Sequence, residues 1–242
     1  MPSLRWLALE AKDLDRMGEF YRTHLDLSVE RGDEELRTRI GETALVFRRP
    51  TGVPRGGVHT HYAFSTPFDR YDAWFDRLDD AFDLEEHRFG EARSLYFYDP
   101  EGNCVEIGQV ERGSAATDER APGDGTTDED AGLTGIFEVV FEVEDLDRAV
   151  AFYTALGFET MDEGTNRRRV RLTAGPFDVE LWEPHLGIAD ARGGLHVDVG
   201  VAVTDPTETA RRVRNLATDV TPVESGVRVR DADGHYVTLV EG

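Results

Sequence analysis

The 242-residue sequence predicts an α+β fold: four βαβββ modules pairing into two half-barrel cups. Three observations carry this. The chain falls into two similar halves, each half shows a strand–helix–strands pattern twice, and both halves close on a hairpin with the same residue frame. Self-similarity at this period marks repeated supersecondary units. A unit of roughly 55 residues leaves one sheet face bare, so units must pair and curl around a cleft.

Each half opens on an apolar strand that leads into a helix. The first reads LRWLALEAKDLDRMGEFYRTHLDL and the second GIFEVVFEVEDLDRAVAFYTALGF. Asp13 and Asp145 suit an N-cap, where a carboxylate satisfies orphan amides of the first turn. Leu14, Met17, Phe20 and Tyr21 recur at helical spacing, as do Leu146, Ala149, Phe152 and Tyr153, which places both Phe-Tyr pairs in the core. The helices end at turns marked by Asp26 and Gly157, after which strand patterns resume. The middle of each half then repeats: Arg55–Phe64 reads RGGVHTHYAF and Arg192–Val201 reads RGGLHVDVGV. A helix follows in each case, over Phe68–Ala81 and over Pro206–Leu216, the second with proline in its first turn. The closing segments LYFYDPEGNCVEIGQV and VRVRDADGHYVTLVEG share Asp-x-x-Gly-x-x-Val-x-[Ile/Leu], a hairpin signal in which Gly102 serves the turn.

Between the halves, Arg112–Gly132 is rich in Gly, Ala, Thr and Asp and has no large apolar side chain, so it reads as an acidic flexible linker. The expected organisation is an N-terminal domain over 1–111, the linker over 112–132 and a C-terminal domain over 133–242, each domain holding two modules.

Composition narrows the function classes. Hydrophobic residues make up 39%, enough for a core, which excludes wholesale disorder. No apolar run approaches the roughly 18 residues of a membrane span, and the N-terminus lacks a signal layout, so a cytoplasmic protein is expected. The single cysteine, Cys104, excludes a disulfide framework, and in a strand it has no evident activator. Acidic residues outnumber basic ones 49 to 27, for a net charge of −22, and only Lys12 among the basic residues is a lysine. That field repels nucleic acid and anionic membranes. Acidity with lysine almost absent resembles the proteins of halophilic archaea, whose salty cytoplasm screens such repulsion. No Ser/His/Asp nucleophile pattern and no phosphate-loop spacing is present. A small-molecule partner is expected, and a homodimer formed by swapping units between chains stays open.

In order and in kind, these motifs resemble the vicinal oxygen chelate superfamily, which includes glyoxalase I, extradiol dioxygenases, fosfomycin-modifying transferases and metal-free bleomycin-resistance proteins. The matching features are the strand before Asp-Leu-Asp-Arg…Phe-Tyr, the Gly-Gly-x-His-x-His strand and the Asp-Pro-Glu-Gly-Asn-x-x-Glu hairpin. They cover nearly all of both halves, and four units in one chain is also the organisation of two-domain extradiol dioxygenases. The resemblance implies a cup that binds a divalent metal (Fe, Mn, Ni, Zn or Mg) through His and Glu ligands from first and last strands. Two adjacent substrate oxygens then chelate at the open positions.

Carried onto this chain, the resemblance places His61 and Glu106 at two ligand positions of the N-terminal cup. The first-strand position, seven residues before the capping Asp, is Trp6, which cannot ligate. His59 lies two residues from His61, on the same strand face, and is the candidate to complete the site; Tyr96 and Tyr98 offer phenols to a substrate. In the second half Glu138, Glu180 and Asp198 are expected to converge in a second cup, with His196 at its rim. There they either hold a hard cation such as Mg or Mn or pair with Arg169 and Arg171. Two functions follow from the resemblance: a metal-dependent glyoxalase- or dioxygenase-like enzyme, or a metal-free small-molecule-binding protein with Trp6 as an apolar floor.

Overall fold

The computed structural model describes residues 2–50, 60–110, 132–166, 168–183 and 198–242. Four βαβββ units follow one another. Unit 1 holds β1 (Ser3–Glu10), α1 (Leu14–Leu25), β2 (Glu30–Arg31), β3 (Glu35–Ile40) and β4 (Thr43–Arg48). Unit 2 holds β5 (Thr60–Thr66), a 3-10 turn (Phe68–Arg70), α2 (Tyr71–Asp79), β6 (Glu85–Phe89), β7 (Ala92–Tyr98) and β8 (Cys104–Gln109). Unit 3 holds β9 (Gly135–Glu142), α3 (Leu146–Ala155), β10 (Glu159–Glu163), β11 (Arg169–Thr173) and β12 (Asp178–Trp182). Unit 4 holds β13 (Asp198–Val203), α4 (Pro206–Val213), β14 (Asp219–Val223), β15 (Gly226–Arg230) and β16 (Tyr236–Glu241).

Helices α1, α3 and α4 begin at side-chain caps, whereas α2 continues from the 3-10 turn without one. Asp13 accepts from the Arg16 amide at 3.0 Å, Asp145 from Arg148 at 3.0 Å and Asp205 from Glu208 at 2.9 Å. Helix α1 stops at Asp26, whose φ of 56° is left-handed and cannot continue the helix. Phe20, Tyr21, Phe152 and Tyr153 are buried, as their spacing requires. Among the described residues no helix is long and apolar enough to cross a membrane.

Two curled eight-stranded sheets form, and each crosses the two halves of the sequence. One runs β14-β15-β16-β13-β1-β4-β3-β2, joining unit 4 to unit 1; the other runs β10-β11-β12-β9-β5-β8-β7-β6, joining unit 3 to unit 2. Within every unit the first strand lies parallel to the last, and the first strands then meet antiparallel, β1 with β13 and β5 with β9. The cup-forming partners are therefore units 2 and 3, and units 4 and 1. The N-terminal cup expected from units 1 and 2 does not form as one sheet, because all four first strands carry similar free edges and local pattern does not say which pair meets. Of the expected linker 112–132, all but Gly132 lies outside the described residues.

Units 1 and 2 meet on the helix side instead. Glu101, in the β7–β8 hairpin, accepts from the amides of Lys12 and Asp13 at 2.8 and 2.9 Å, just ahead of α1. Asp99 accepts from the Tyr21 and Tyr62 hydroxyls and from Asn103 Nδ2, and the two phenols also bond to each other. Units 3 and 4 repeat the device: Asp233 accepts from the Glu144 amide at 2.7 Å and Asp231 from the Tyr153 hydroxyl at 3.3 Å. The apolar core lies between helices and sheets and takes alternate strand residues such as Leu7, Leu9, Leu45 and Phe47. The opposite strand faces line the cups.

Candidate functional site

Period-2 alternation places one set of side chains on the concave face of the unit 2–unit 3 sheet. Across neighbouring strands one row reads Tyr96, Glu106, Ala63, Glu138, Asp178. The next row reads Tyr98, Cys104, His61, Val140, Glu180, Arg171. Ala63 stands between Glu106 and Glu138, so its small side chain leaves the space between two carboxylates open. Around these rows is a cavity of about 830 Å³, with His87, Phe89, Met161 and Trp182 among its walls.

His61 and Glu106 are both buried and face each other, His61 Nε2 to Glu106 Oε2 at 3.0 Å. Tyr96 lies beside them, its ring centroid 5.6 Å from that of His61. Burial first, and the Glu106 carboxylate second, push the Tyr96 phenol well above its ordinary pKa, so it stays a neutral donor. Tyr98 lines the outer part of the cavity and is exposed. Cys104 is buried and its thiol is pushed up to about 12, chiefly by burial, which makes it inert as a nucleophile.

Glu138 is the strained member of the set. It is buried at 5% exposure, and its carboxyl is pushed up to about 8 by burial, with Glu180 and Glu106 adding to the rise against the opposing pull of Arg171. The Arg171 Nε lies 3.2 Å from Glu138 Oε1 but donates its hydrogen bond to Asp178 Oδ2, at 2.9 Å. Among the described residues Glu138 Oε1 is left buried without a hydrogen bond. Glu180 is satisfied: Oε1 accepts from Arg169 at 2.7 Å and Oε2 from the Trp182 indole at 2.6 Å.

The sequence-predicted residues are thus regrouped. Glu138 and Glu180, expected in a second cup, stand with His61 and Glu106 in the first. Asp198 is in the other sheet, where Thr238 donates to it at 2.7 Å and Arg228 and Arg48 lie at 3.1 and 3.3 Å. Trp6 is there too and forms no floor beneath His61. It lies across Gly200, whose position would admit no Cβ beneath the indole. The position of Trp6 is taken in the sheet of units 2 and 3 by Glu138, which also lies seven residues before a capping Asp. His59 and His196 lie outside the described residues. The contributions of Asp178 and Trp182 were not read from the sequence, although each sits two residues from Glu180, on the same strand face.

The repeat makes the two cups comparable position by position. His61, Glu106, Glu138 and Glu180 correspond to Asp198, Thr238, Trp6 and Val46 in the other sheet. Only the first quartet holds an imidazole and three carboxylates.

These two crossed sheets of paired βαβββ units define the vicinal oxygen chelate fold. Solved structures bear this out over the whole chain. A putative dioxygenase from Bacillus subtilis superposes with a TM-score of 0.73 at 18% identity, covering 98% of this chain and 84% of that one. Glyoxalase I from Zea mays superposes with a TM-score of 0.65 at 18% identity, covering 100% and 92%, and its V278E mutant with 0.69 at 17%, with the same coverage. At such identities the likeness is one of fold. No protein-family model matches the sequence, and no curated protein matches it.

Proposed function

We propose that the chain is a divalent-metal-dependent enzyme acting on a small molecule with two neighbouring oxygens, bound in the cup between units 2 and 3. The observation that carries this reading is the buried Glu138 Oε1, which makes no hydrogen bond among the described residues and sits among more carboxylates than cations. Glu106, Glu138, Asp178 and Glu180 share two guanidiniums, Arg169 and Arg171. A buried acid held in that surplus is stabilised by any added positive charge. His61, Glu106 and Glu138 are the residues that would hold the ion on drawing closer together than they stand in this structure, a donor set of one imidazole and two carboxylates that suits Mn, Fe or Ni.

The ion supplies Lewis acidity toward paired substrate oxygens, or a redox centre if it is iron. The chain's own residues do the rest. Tyr96, neutral and beside Glu106, donates a hydrogen bond to a substrate oxygen. Tyr98 and Trp182 flank the ring or chain of the substrate, and Arg169 is fixed by Glu180 and Asp162. The test is metal analysis of protein purified without chelator. A near-stoichiometric divalent ion, lost in His61→Ala and in Glu138→Gln, supports the reading. Absence of bound ion, together with a melting temperature that no divalent cation raises, sinks it.

A second reading, a metal-free small-molecule-binding protein, is favoured by one observation. Among the described residues no three His, Cys, Asp or Glu side chains gather closely enough to share an ion. Ligand-induced quenching of Trp182 in metal-free protein, with no turnover of catechols or hemithioacetals, distinguishes it. The acidity of the whole chain makes high-salt buffer the natural medium for both experiments.

A further inference from the structure

The two halves of the cup between units 2 and 3 differ in charge. Both of its guanidiniums lie in the unit 3 half, and both are taken: Arg169 by Glu180 and Asp162, each at 2.7 Å, and Arg171 by Asp178 at 2.9 Å and Glu138 at 3.2 Å. In the unit 2 half, among the described residues, no arginine or lysine borders the cavity. Arg93 of β7 turns to the helix side, over the Tyr71 ring and onto Asp72 at 2.6 Å, and Arg88 of β6 is its register partner on that same face. The basic groups of this half are imidazoles, His61 on Glu106 at 3.0 Å and His87 at 3.6 Å from Glu85. Asp83, Glu85 and Glu106 thus border the cavity with no guanidinium among them. Glu138, at the midline, adds a buried Oε1 that makes no hydrogen bond among the described residues. A cation entering this half meets acceptors, and an anion meets like charge.

The walls add shape to this charge. Phe89, Tyr98 and Met161, three of the four exposed large apolar side chains among the described residues, all border this cavity. His87, Tyr96, His61 and Trp182 form an edge-to-face row across it, with successive ring centroids 5.3, 5.6 and 6.1 Å apart. On the cup face of β6, β7 and β8 the register sets Glu85, Tyr96 and Glu106 side by side, so a phenol ring stands between two carboxylates, with Tyr98 two residues further along β7. Aromatic faces flanked by carboxylates form a seat for an organic ammonium. Glu85 and Glu106 lie two strand spacings apart, about 10 Å. That distance suits an aromatic ring whose oxygens lie at one end and whose two-carbon arm carries an amine at the other.

We propose that the substrate of this cup is an arylalkylamine. Its two oxygens lie toward His61, Glu106 and Glu138, its ring lies against Tyr98 and Trp182, and its ammonium group lies beside Glu85 and Asp83. The inference rests on the reading of this cup as the substrate site and adds the charge and shape of the molecule it takes. Substrates that carry carboxylate or phosphonate groups are disfavoured by the same carboxylates that hold the amine.

The test is anaerobic calorimetric titration of the full chain, loaded with manganese, with three catechols alike in ring and arm: dopamine, the acid 3,4-dihydroxyphenylacetate and the neutral 4-ethylcatechol. Dopamine is expected to bind at least about tenfold tighter than the acid, with 4-ethylcatechol between them. The Asp83→Asn/Glu85→Gln double variant, at two exposed positions, should cut the dopamine-to-acid ratio at least about fivefold. Equal or tighter binding of the acid overturns the proposal, as does a ratio unchanged in the folded double variant. Should that variant fail to fold, the wild-type ratio decides. A second comparison, phenethylamine against phenylacetate on the metal-free chain, leaves the ion out. If the chain takes up no manganese, the metal reading fails by itself; a preference for phenethylamine then still supports the ammonium seat, and equal affinities overturn it. Manganese uptake with no preference for dopamine overturns the ammonium seat alone.

Discussion

Single side chains in this protein carry loads that their burial makes steep. Tyr21 donates to Asp99 at 3.1 Å and touches Tyr62, while Tyr153 donates to Asp231 alone at 3.3 Å. Removing a buried donor strands its acceptor. Tyr21→Phe is therefore expected to destabilise by about 1–2 kcal/mol in denaturant titration, and Tyr153→Phe by less, about 1 kcal/mol. Equal losses would mean that the Tyr21–Tyr62 contact adds nothing. Arg171 is a second such residue, because Glu138 and Asp178 both lean on it from beneath while its own side chain is 29% exposed. Arg171→Met leaves two buried carboxylates facing each other. Full burial of a broken pair costs about 3–5 kcal/mol, and partial solvent access reduces this to about 2–3 kcal/mol. The deficit should shrink on adding a divalent cation if His61, Glu106 and Glu138 hold one, and thermal melts with and without Mn measure it.

Elements were the legible scale, and their pairing was not. Helix starts at Asp13 and Asp145, the turns at Asp26 and Gly157, and the closing hairpins all follow from local chemistry: caps, periodicity and turn residues within a few positions of one another. The cups depend on which first strands meet, a contact between β5 and β9 that bridges residues far apart in the chain. Hydrophobic pattern alone is silent there, since β1, β5, β9 and β13 look alike. The site shares that ambiguity: His61, Glu106, Glu138 and Glu180 are each recognisable as polar residue types on first and last strands, but a pairing of strands within halves divides them between two cups, whereas β5 and β9 bring them together. Repeat position also reveals where packing replaced chemistry. Trp6 stands where the other sheet has Glu138, and Gly200 opposite it makes room for the indole. Gly200→Ala forces a methyl group into that ring, and overpacking of this kind costs about 1–3 kcal/mol. Adding Trp6→Ala should recover most of that loss in the same denaturation assay, which a purely backbone effect of the alanine would not allow.

At the level of the whole molecule, charge and topology set two further expectations. Self-repulsion from a net charge of −22 weakens as the Debye length falls from about 8 Å at 0.15 M salt to about 3 Å at 1 M. The melting temperature should therefore climb over that range, and a flat response would place the charges in local pairs. Topology makes the stronger claim. The four units close into a ring, with sheet contacts joining units 2–3 and 4–1 and hairpin-to-helix locks joining units 1–2 and 3–4. One contiguous apolar cluster runs from Leu4 to Leu239. A fragment of residues 1–110 keeps its lock but loses β13 beside β1 and β9 beside β5, exposing two strand edges and the open ends of two sheets. Such a fragment is expected to self-associate through those edges, and to form a one-to-one complex when mixed with residues 132–242. Size-exclusion chromatography with circular dichroism reads both outcomes. If residues 1–110 instead fold as a monomer with a cooperative melt, then the lock between Glu101, Asp99 and α1 outweighs the crossed sheets, and each half is a free-standing domain that docks only afterwards.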